Sequence, residues 1–178
     1  ICPLTDEQVK AFLEVSAEDD YEIILKVILF TGLREAEATG LTWDVIDFKA
    51  GTIKVCKQLQ KRPLKDGGFT FAPLKNNKTR ILRPAPFVMS LLERRKQEQI
   101  TQKLKAGPLW QGWASPEEQK TALVFTTATG GNLHPQTVYE HYKKLAKKIG
   151  APESRVHDLR HTFAVLSLQN GDSVKTVQ

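Results

Sequence analysis

Between residues 51 and 83 the spacing of apolar side chains changes from a helical period to a period of two. In GTIKVCKQLQ, residues 51–60, Ile53, Val55 and Leu59 alternate with polar residues, which is the pattern of a half-buried strand. KDGGFTFAPLKNNKTRILRPAP continues it as a hairpin-rich region, its turns marked by Asp66-Gly67-Gly68 and Asn76-Asn77. Helical periods flank the stretch on both sides. The chain is thereby confined to an α+β class, mostly helical, with a small antiparallel sheet.

The flanking helices carry their own start and stop signals. Thr5 reads as an N-cap with Glu7 close behind. DYEIILKVILFTG puts Ile24, Leu25, Ile28 and Leu29 on one face and stops at Gly32. A new helix starts at Arg34 and breaks near Gly40. FVMSLLERRKQEQITQKLK reads as a long charged helix whose 93–105 part faces solvent, and LVFTT as a brief extended segment. In PQTVYEHYKKLAKKIG, Pro135 suits a first turn and Val138, Tyr142, Leu145 and Ile149 form one apolar face before Gly150. HDLRHTF opens a helix that closes at Asn170-Gly171, and DSVKTVQ begins another.

A length of 178 residues suits one domain. The opening ICPLTDEQ has no initiator methionine and no signal-peptide pattern, so the expectation is a piece of a longer protein. Cys2 and Cys56 lack metal-ligand or disulfide spacing, which points to a reducing, cytoplasmic setting with Cys56 buried in a strand.

The net charge of +6 is unevenly spread. Residues 57–105 carry 13 Lys/Arg against 3 Asp/Glu, a balance of +10 within a frame of −4. One basic surface in an acidic frame suits a polyanion, and equally a solvated lysine-rich face.

Three short motifs bear on chemistry. In HDLRH, residues 157–161, helical geometry stacks His157, Arg160 and His161 on one face. Two histidines at i and i+4 can share zinc, but here an arginine shares their face and no third-ligand cluster is visible, so no metal is expected. The same residues suit a phosphate: Arg160 offers a planar donor fork, and His157 can donate a hydrogen bond or shuttle a proton. TGLREAE, residues 31–37, places Arg34 just after a glycine break at a helix start, where anions are favoured.

These motifs together resemble the tyrosine recombinases, or phage-type integrases. Thr31-Gly32-Leu33-Arg34 with Glu37 is similar to that family's T-G-L-R-x-x-E box. His157 and Arg160 match its H-x-x-R box, and LKNNKTRILRP resembles its β-hairpin lysine motif with Lys75 in the catalytic place. The flavour is that of integrases from conjugative transposons and temperate phages of Gram-positive bacteria. Singly, each motif reads as an ordinary surface feature; jointly and in order they do not.

The resemblance implies the family's catalytic-domain fold over residues 1–178, shortened at the C-terminus and without the core-binding domain that precedes it. It implies site-specific DNA recombination and integration by metal-free transesterification, with no cofactor, through a 3′-phosphotyrosyl intermediate. The family's second histidine or tryptophan and its nucleophilic tyrosine are expected beyond Gln178, so the fragment is expected to bind DNA without cleaving it. Tyr21, Tyr139 and Tyr142 are not assigned as nucleophile.

Arg34 and Arg160 would clamp the phosphate, Lys75 (with Lys78 as the fallback) would protonate the leaving oxygen, and His157 would serve as hydrogen-bond donor or acid–base partner. Glu37 and His161 would support them.

Lys57, Lys61, Arg62, Lys65, Lys78, Arg80 and Arg83 are expected to contact the DNA backbone, as are Lys143, Lys144, Lys147 and Lys148. His134, Gln136, Thr137 and His141 are the expected base contacts. The implied partners are double-stranded DNA at element ends and target site, a tetrameric synapse, and excisionase or DNA-bending accessory proteins. The implied place is the bacterial cytoplasm, at the nucleoid. The alternatives are a catalytically inactive DNA-binding module of the same fold and, third, a zinc hydrolase.

Overall fold

A computed structural model describes residues 1–171. It comprises two compact units, Ile1–Glu35 with the residues from Gln136 onward, and Ala36–Pro135. The fold is mostly helical with small antiparallel sheets, as the apolar periods predict. Among the described residues no helix is long and apolar enough to cross a membrane.

The first unit holds α1 (Asp6–Val15), α2 (Glu22–Thr31), α6 (Pro135–Lys148, from its second residue) and α7 (Val156–Gln169). Thr5 caps α1 in a reciprocal box completed by Gln8 rather than Glu7: Thr5 Oγ1 accepts from Gln8 N–H at 3.2 Å, and Gln8 Oε1 accepts from Thr5 N–H at 3.0 Å. The apolar faces of α2 and α6 are buried where the spacing put them. Ile24, Leu25, Ile28 and Leu29 are at most 1% exposed, and Val138 and Tyr142 are fully covered. Tyr142 meets the ring of Phe12 edge-on and shares a 2.6 Å hydrogen bond with Ser154.

α7 is tied to the N-terminal segment by two side chains one turn apart. Asp158 Oδ1 accepts from Cys2 N–H at 3.3 Å, and Thr162 Oγ1 accepts from Leu4 N–H at 2.9 Å. The helix expected within DSVKTVQ lies outside the described residues.

The second unit is built on one long, interrupted hairpin. β2 (Thr52–Val55) and β3 (Lys57–Lys61) form the outgoing arm, broken only at Cys56; β4 (Phe69–Pro73) and β5 (Arg80–Leu82) form the return. β3 pairs with β4 in the register Lys57↔Pro73, and β2 pairs with β5 in the register Val55↔Arg80. β1 (Ile46–Asp47) adds to β2, giving sheets ordered β1-β2-β5 and β3-β4.

Two expectations are corrected here. The Asn76-Asn77 turn does not close a hairpin of its own; residues 74–79 are a loop let out of the return arm, while the hairpin's true turn lies at 62–68. Cys56 is half-buried rather than buried, because it sits at the break between strands.

α3 (Glu35–Thr39) begins at the boundary of the two units. α4 (Pro86–Ala106) and the short α5 (Pro116–Gln119) belong to the second unit. The 93–105 part of α4 departs from the solvent-facing expectation at Arg95 and Gln99, which are 5% and 0% exposed. Arg95 donates to Val124 C=O at 2.8 Å, and Gln99 donates to Leu123 C=O at 2.9 Å while accepting from Trp43 Nε1 at 3.0 Å. The segment they serve has only isolated bridges, Thr42↔Leu123 and Thr126↔Asn132. Its carbonyls therefore take long side-chain donors in place of a ladder.

Candidate active site

α2 ends where the TGLR motif begins. Gly32 takes φ +69°, the left-handed conformation a helix C-cap favours, and its N–H donates to Ile28 C=O at 3.0 Å. A side chain at this position would also collide with Phe163 of α7, whose Cδ1 lies 2.4 Å from an ideal Cβ. Glycine is thus required twice, for its backbone and for the space the HTF phenylalanine fills.

The freed carbonyl of Gly32 then accepts from Arg160 Nη1 at 2.9 Å. The arginine of one motif is aimed by the glycine of the other, and both belong to the first unit. Arg34, two residues on, is half-buried.

On α7, His157 is exposed and Arg160 and His161 are half-buried. The two imidazoles meet edge to face with centroids 4.7 Å apart. Partial desolvation by its neighbours on α7, then the His161 and Arg160 charges, hold His157 below the ordinary histidine pKa, against an opposing pull from Asp158. The lowered value favours the neutral imidazole, the form that can accept a proton.

Asp158 was not singled out by sequence, and it organises this end of α7. It is 1% exposed and reaches back to Arg155 N–H at 2.9 Å as the N3 carboxylate of a cap. Burial alone would raise its pKa. The N–H groups of Arg155 and Cys2 and the Arg155 guanidinium outweigh that, and the carboxyl is held below its usual value. The available signal was the acid three residues into a helix.

In the second unit, Lys75 and Lys78 are exposed on loop 74–79. Glu37 is 1% exposed and receives Arg80 as a two-pronged pair, Nη1–Oε1 at 3.1 Å and Nη2–Oε2 at 2.7 Å.

Lys61, Arg62 and Lys65 are exposed on and beside the hairpin turn, and Arg83 is exposed past β5. Lys57 lies half-buried with its ammonium 4.6 Å from the centre of the Phe71 ring. His134 is half-buried beside Phe69.

On α6, Gln136 donates to Glu140 at 3.0 Å, Thr137 is half-buried, and Lys144, Lys147 and Lys148 are exposed. His141 Nδ1 bonds both Asp19 carboxylate oxygens, at 3.0 and 2.9 Å, against the Tyr21 ring. Lys143 donates to the carbonyls of Pro152 and Ser154, closing the α6–α7 turn. Among the described residues no three His, Cys, Asp or Glu side chains gather as a metal site would require.

Tyr142 is ill placed to act as a nucleophile. Tyr142 is buried, and that burial, with the Asp158 charge adding to it against the Ser154 hydrogen bond, pushes its phenol up to about 12. Tyr21 packs on His141, and Tyr139 is 41% exposed on α6.

Known proteins similar to this chain agree with one another. A tyrosine recombinase XerC-like protein of Caldanaerobacter subterraneus subsp. tengcongensis is 26% identical over 97% of this chain and 45% of its own length. The tyrosine recombinase XerC of Agrobacterium fabrum is 30% identical over 99% of this chain and 49% of its own. The chain therefore spans about half the length of these relatives.

In fold it is similar to the Tn1549 transposon integrase solved in complex with transposon right-end DNA. There the TM-score is 0.79 at 22% identity, over 99% of this chain and 56% of that one. The XerA recombinase gives a TM-score of 0.71 at 21% identity, covering 100% and 53%. The description "Phage integrase family" matches residues 3–178. With nearly its whole length inside that match, the chain belongs to the phage integrase family.

Proposed function

We propose that this chain is the catalytic portion of a site-specific tyrosine recombinase that recombines and integrates DNA by cutting and rejoining one strand at a time. The observation that carries the reading is the hydrogen bond from Arg160 to the Gly32 carbonyl, which joins the two arginine motifs. That bond fixes the plane of the guanidinium, and a planar donor fork of this kind suits the oxygens of a phosphate.

In this reading a tyrosine outside Ile1–Gln178 attacks phosphorus, and Arg34 and Arg160 stabilise the charge that develops on the non-bridging oxygens. The P–O5′ bond breaks as Lys75 passes a proton to the departing oxygen, and His157 accepts the tyrosine proton. The phosphotyrosyl link conserves the bond for religation, so no nucleotide cofactor or metal is needed.

The exposed basic side chains on the hairpin (Lys61, Arg62, Lys65, Lys78, Arg83) and on α6 (Lys144, Lys147, Lys148) contact phosphates of duplex DNA. Gln136 and Thr137 are the base-reading side chains of α6. The working assembly is a tetramer on two DNA sites, in the bacterial cytoplasm.

The test pairs binding with cleavage. The segment Ile1–Gln178 binds duplex DNA, losing affinity by about 10³-fold between roughly 50 and 200 mM salt if about six phosphates are neutralised, and forms no adduct. In the full-length protein, Arg34→Ala and Arg160→Ala keep most binding and lose cleavage by about 10²–10³-fold. Equal loss of binding and cleavage would reassign the arginines to simple DNA contacts, and DNA binding without any adduct from the unaltered full-length protein would favour an inactive binding module.

A further inference from the structure

Loop 74–79 carries both lysines considered for the leaving group, and its two ends are anchored in different ways. At the start, Leu74 is 6% exposed and its carbonyl accepts from Asn77 N–H at 2.9 Å, with Asn77 in the left-handed region at φ 49°. At the far end, Arg80 opens β5 opposite Val55. Between these anchors Lys75 and Lys78 are exposed, so the reach of either ammonium is set by the backbone that bears it.

The Arg80 anchor is a matched fork. Both of its terminal nitrogens lie on the two carboxylate oxygens of Glu37, which is 1% exposed on α3. A carboxylate buried this deeply requires a charged partner, and a planar fork holds it in one orientation where a point charge would not. An arginine serving as a DNA phosphate contact would offer those same nitrogens outward. Here they are engaged inward.

We propose that Arg80, through its pair with Glu37, is a positioning residue that fixes loop 74–79 against α3 and so sets the reach of Lys75 to the leaving oxygen. This replaces the phosphate-contact role expected of Arg80 and rests on the recombinase reading above. Arg80 takes no part in the bond changes. It holds the loop from which Lys75 gives up its proton.

The experiment compares adduct formation by the full-length protein on two nicked substrates, one with the natural 5′-oxygen at the scissile bond and one with a 5′-bridging sulfur. Sulfur leaves without a proton donor, so it bypasses whatever Lys75 supplies. Arg80→Met and Arg80→Lys should each slow the oxygen substrate by about 10- to 100-fold, part of the 10²–10⁴ a general acid contributes. On sulfur both should stay within about threefold of the unaltered protein, as should Lys75→Ala. Retained sulfur cleavage also shows that the variants are folded.

Equal loss on both substrates overturns the positioning role. A normal oxygen rate in Arg80→Lys overturns it too, assigning Arg80 to charge alone. Absence of adduct from the unaltered protein on both substrates instead removes the recombinase reading, and this inference with it.

Discussion

Arg160 and Gly32 are joined by a 2.9 Å hydrogen bond across 128 positions of sequence, from the Arg160 guanidinium to the Gly32 carbonyl. The carbonyl is available because Gly32 turns left-handed at the end of α2, and Phe163 fills the space a side chain would need.

Gly32→Ala should therefore cost about 2–4 kcal/mol, combining strain at positive φ with overpacking against Phe163. Phe163→Leu in the same chain should recover roughly half, since it relieves the collision but not the backbone. Thermal unfolding of the single and double variants measures both parts. A full recovery would assign the whole cost to packing.

His157 titrates below the ordinary 6.5, through partial desolvation first and then the like charges of His161 and Arg160. His161→Gln should move it up toward 6.5 without reaching it, because desolvation remains. NMR titration of the His157 ring checks this. A depressed histidine binds fewer protons folded than unfolded, so this group favours the folded state less as pH falls below 6.5. Cleavage should likewise show an acid limb below pH 6.5, and no shift on His161→Gln would remove the coupling.

Asp158 gives the opposite lever. Its carboxyl is depressed by the Arg155 and Cys2 N–H groups and the Arg155 charge, against burial. Its contribution is present above the usual 3.8 and lost as pH falls through the lower folded value. Asp158→Asn should cost about 1–3 kcal/mol at pH 7 and progressively less below pH 4. Chemical unfolding at both pH values tests it, and a cost independent of pH would show that charge is not involved.

Gln99→Leu should destabilise the second unit by about 2–4 kcal/mol, leaving Trp43 Nε1 and the Leu123 carbonyl without this buried partner. Gln99→Glu, which keeps the acceptor for Trp43 but sets a buried carboxylate oxygen against the Leu123 carbonyl, should cost at least as much at pH 7. Denaturant melts of the two variants show whether the side-chain bonds from α4 to this segment hold the second unit together, and an unchanged midpoint for both would show that they do not.

What was legible in the sequence follows the range of the interaction. The Gly32 stop, the α6 face through Val138, Tyr142 and Leu145, and the α7 cluster of His157, Arg160 and His161 are local patterns read at spacings of three and four. The pairing of Arg80 with Glu37 spans 43 positions, and that of His141 with Asp19 spans 122; no local period encodes either. The same holds for the hairpin. Asn76-Asn77 carries a true turn signal, but only the pairing of β5 with β2 shows that this turn lies inside one arm. On α4 the charged pattern concealed two buried residues, because Arg95 and Gln99 are long enough to satisfy carbonyls outside the helix.

The central claim is strand transfer through a phosphotyrosyl bond, and covalent trapping meets it directly. Full-length protein is incubated with a nicked suicide substrate from its element end in the presence of a chelator, then run on a denaturing gel. The account predicts a protein–DNA adduct that forms without metal, is lost in Arg160→Ala, and disappears when a tyrosine outside Ile1–Gln178 is changed to phenylalanine. Tight DNA binding with no adduct, or an adduct that depends on added metal, would contradict it.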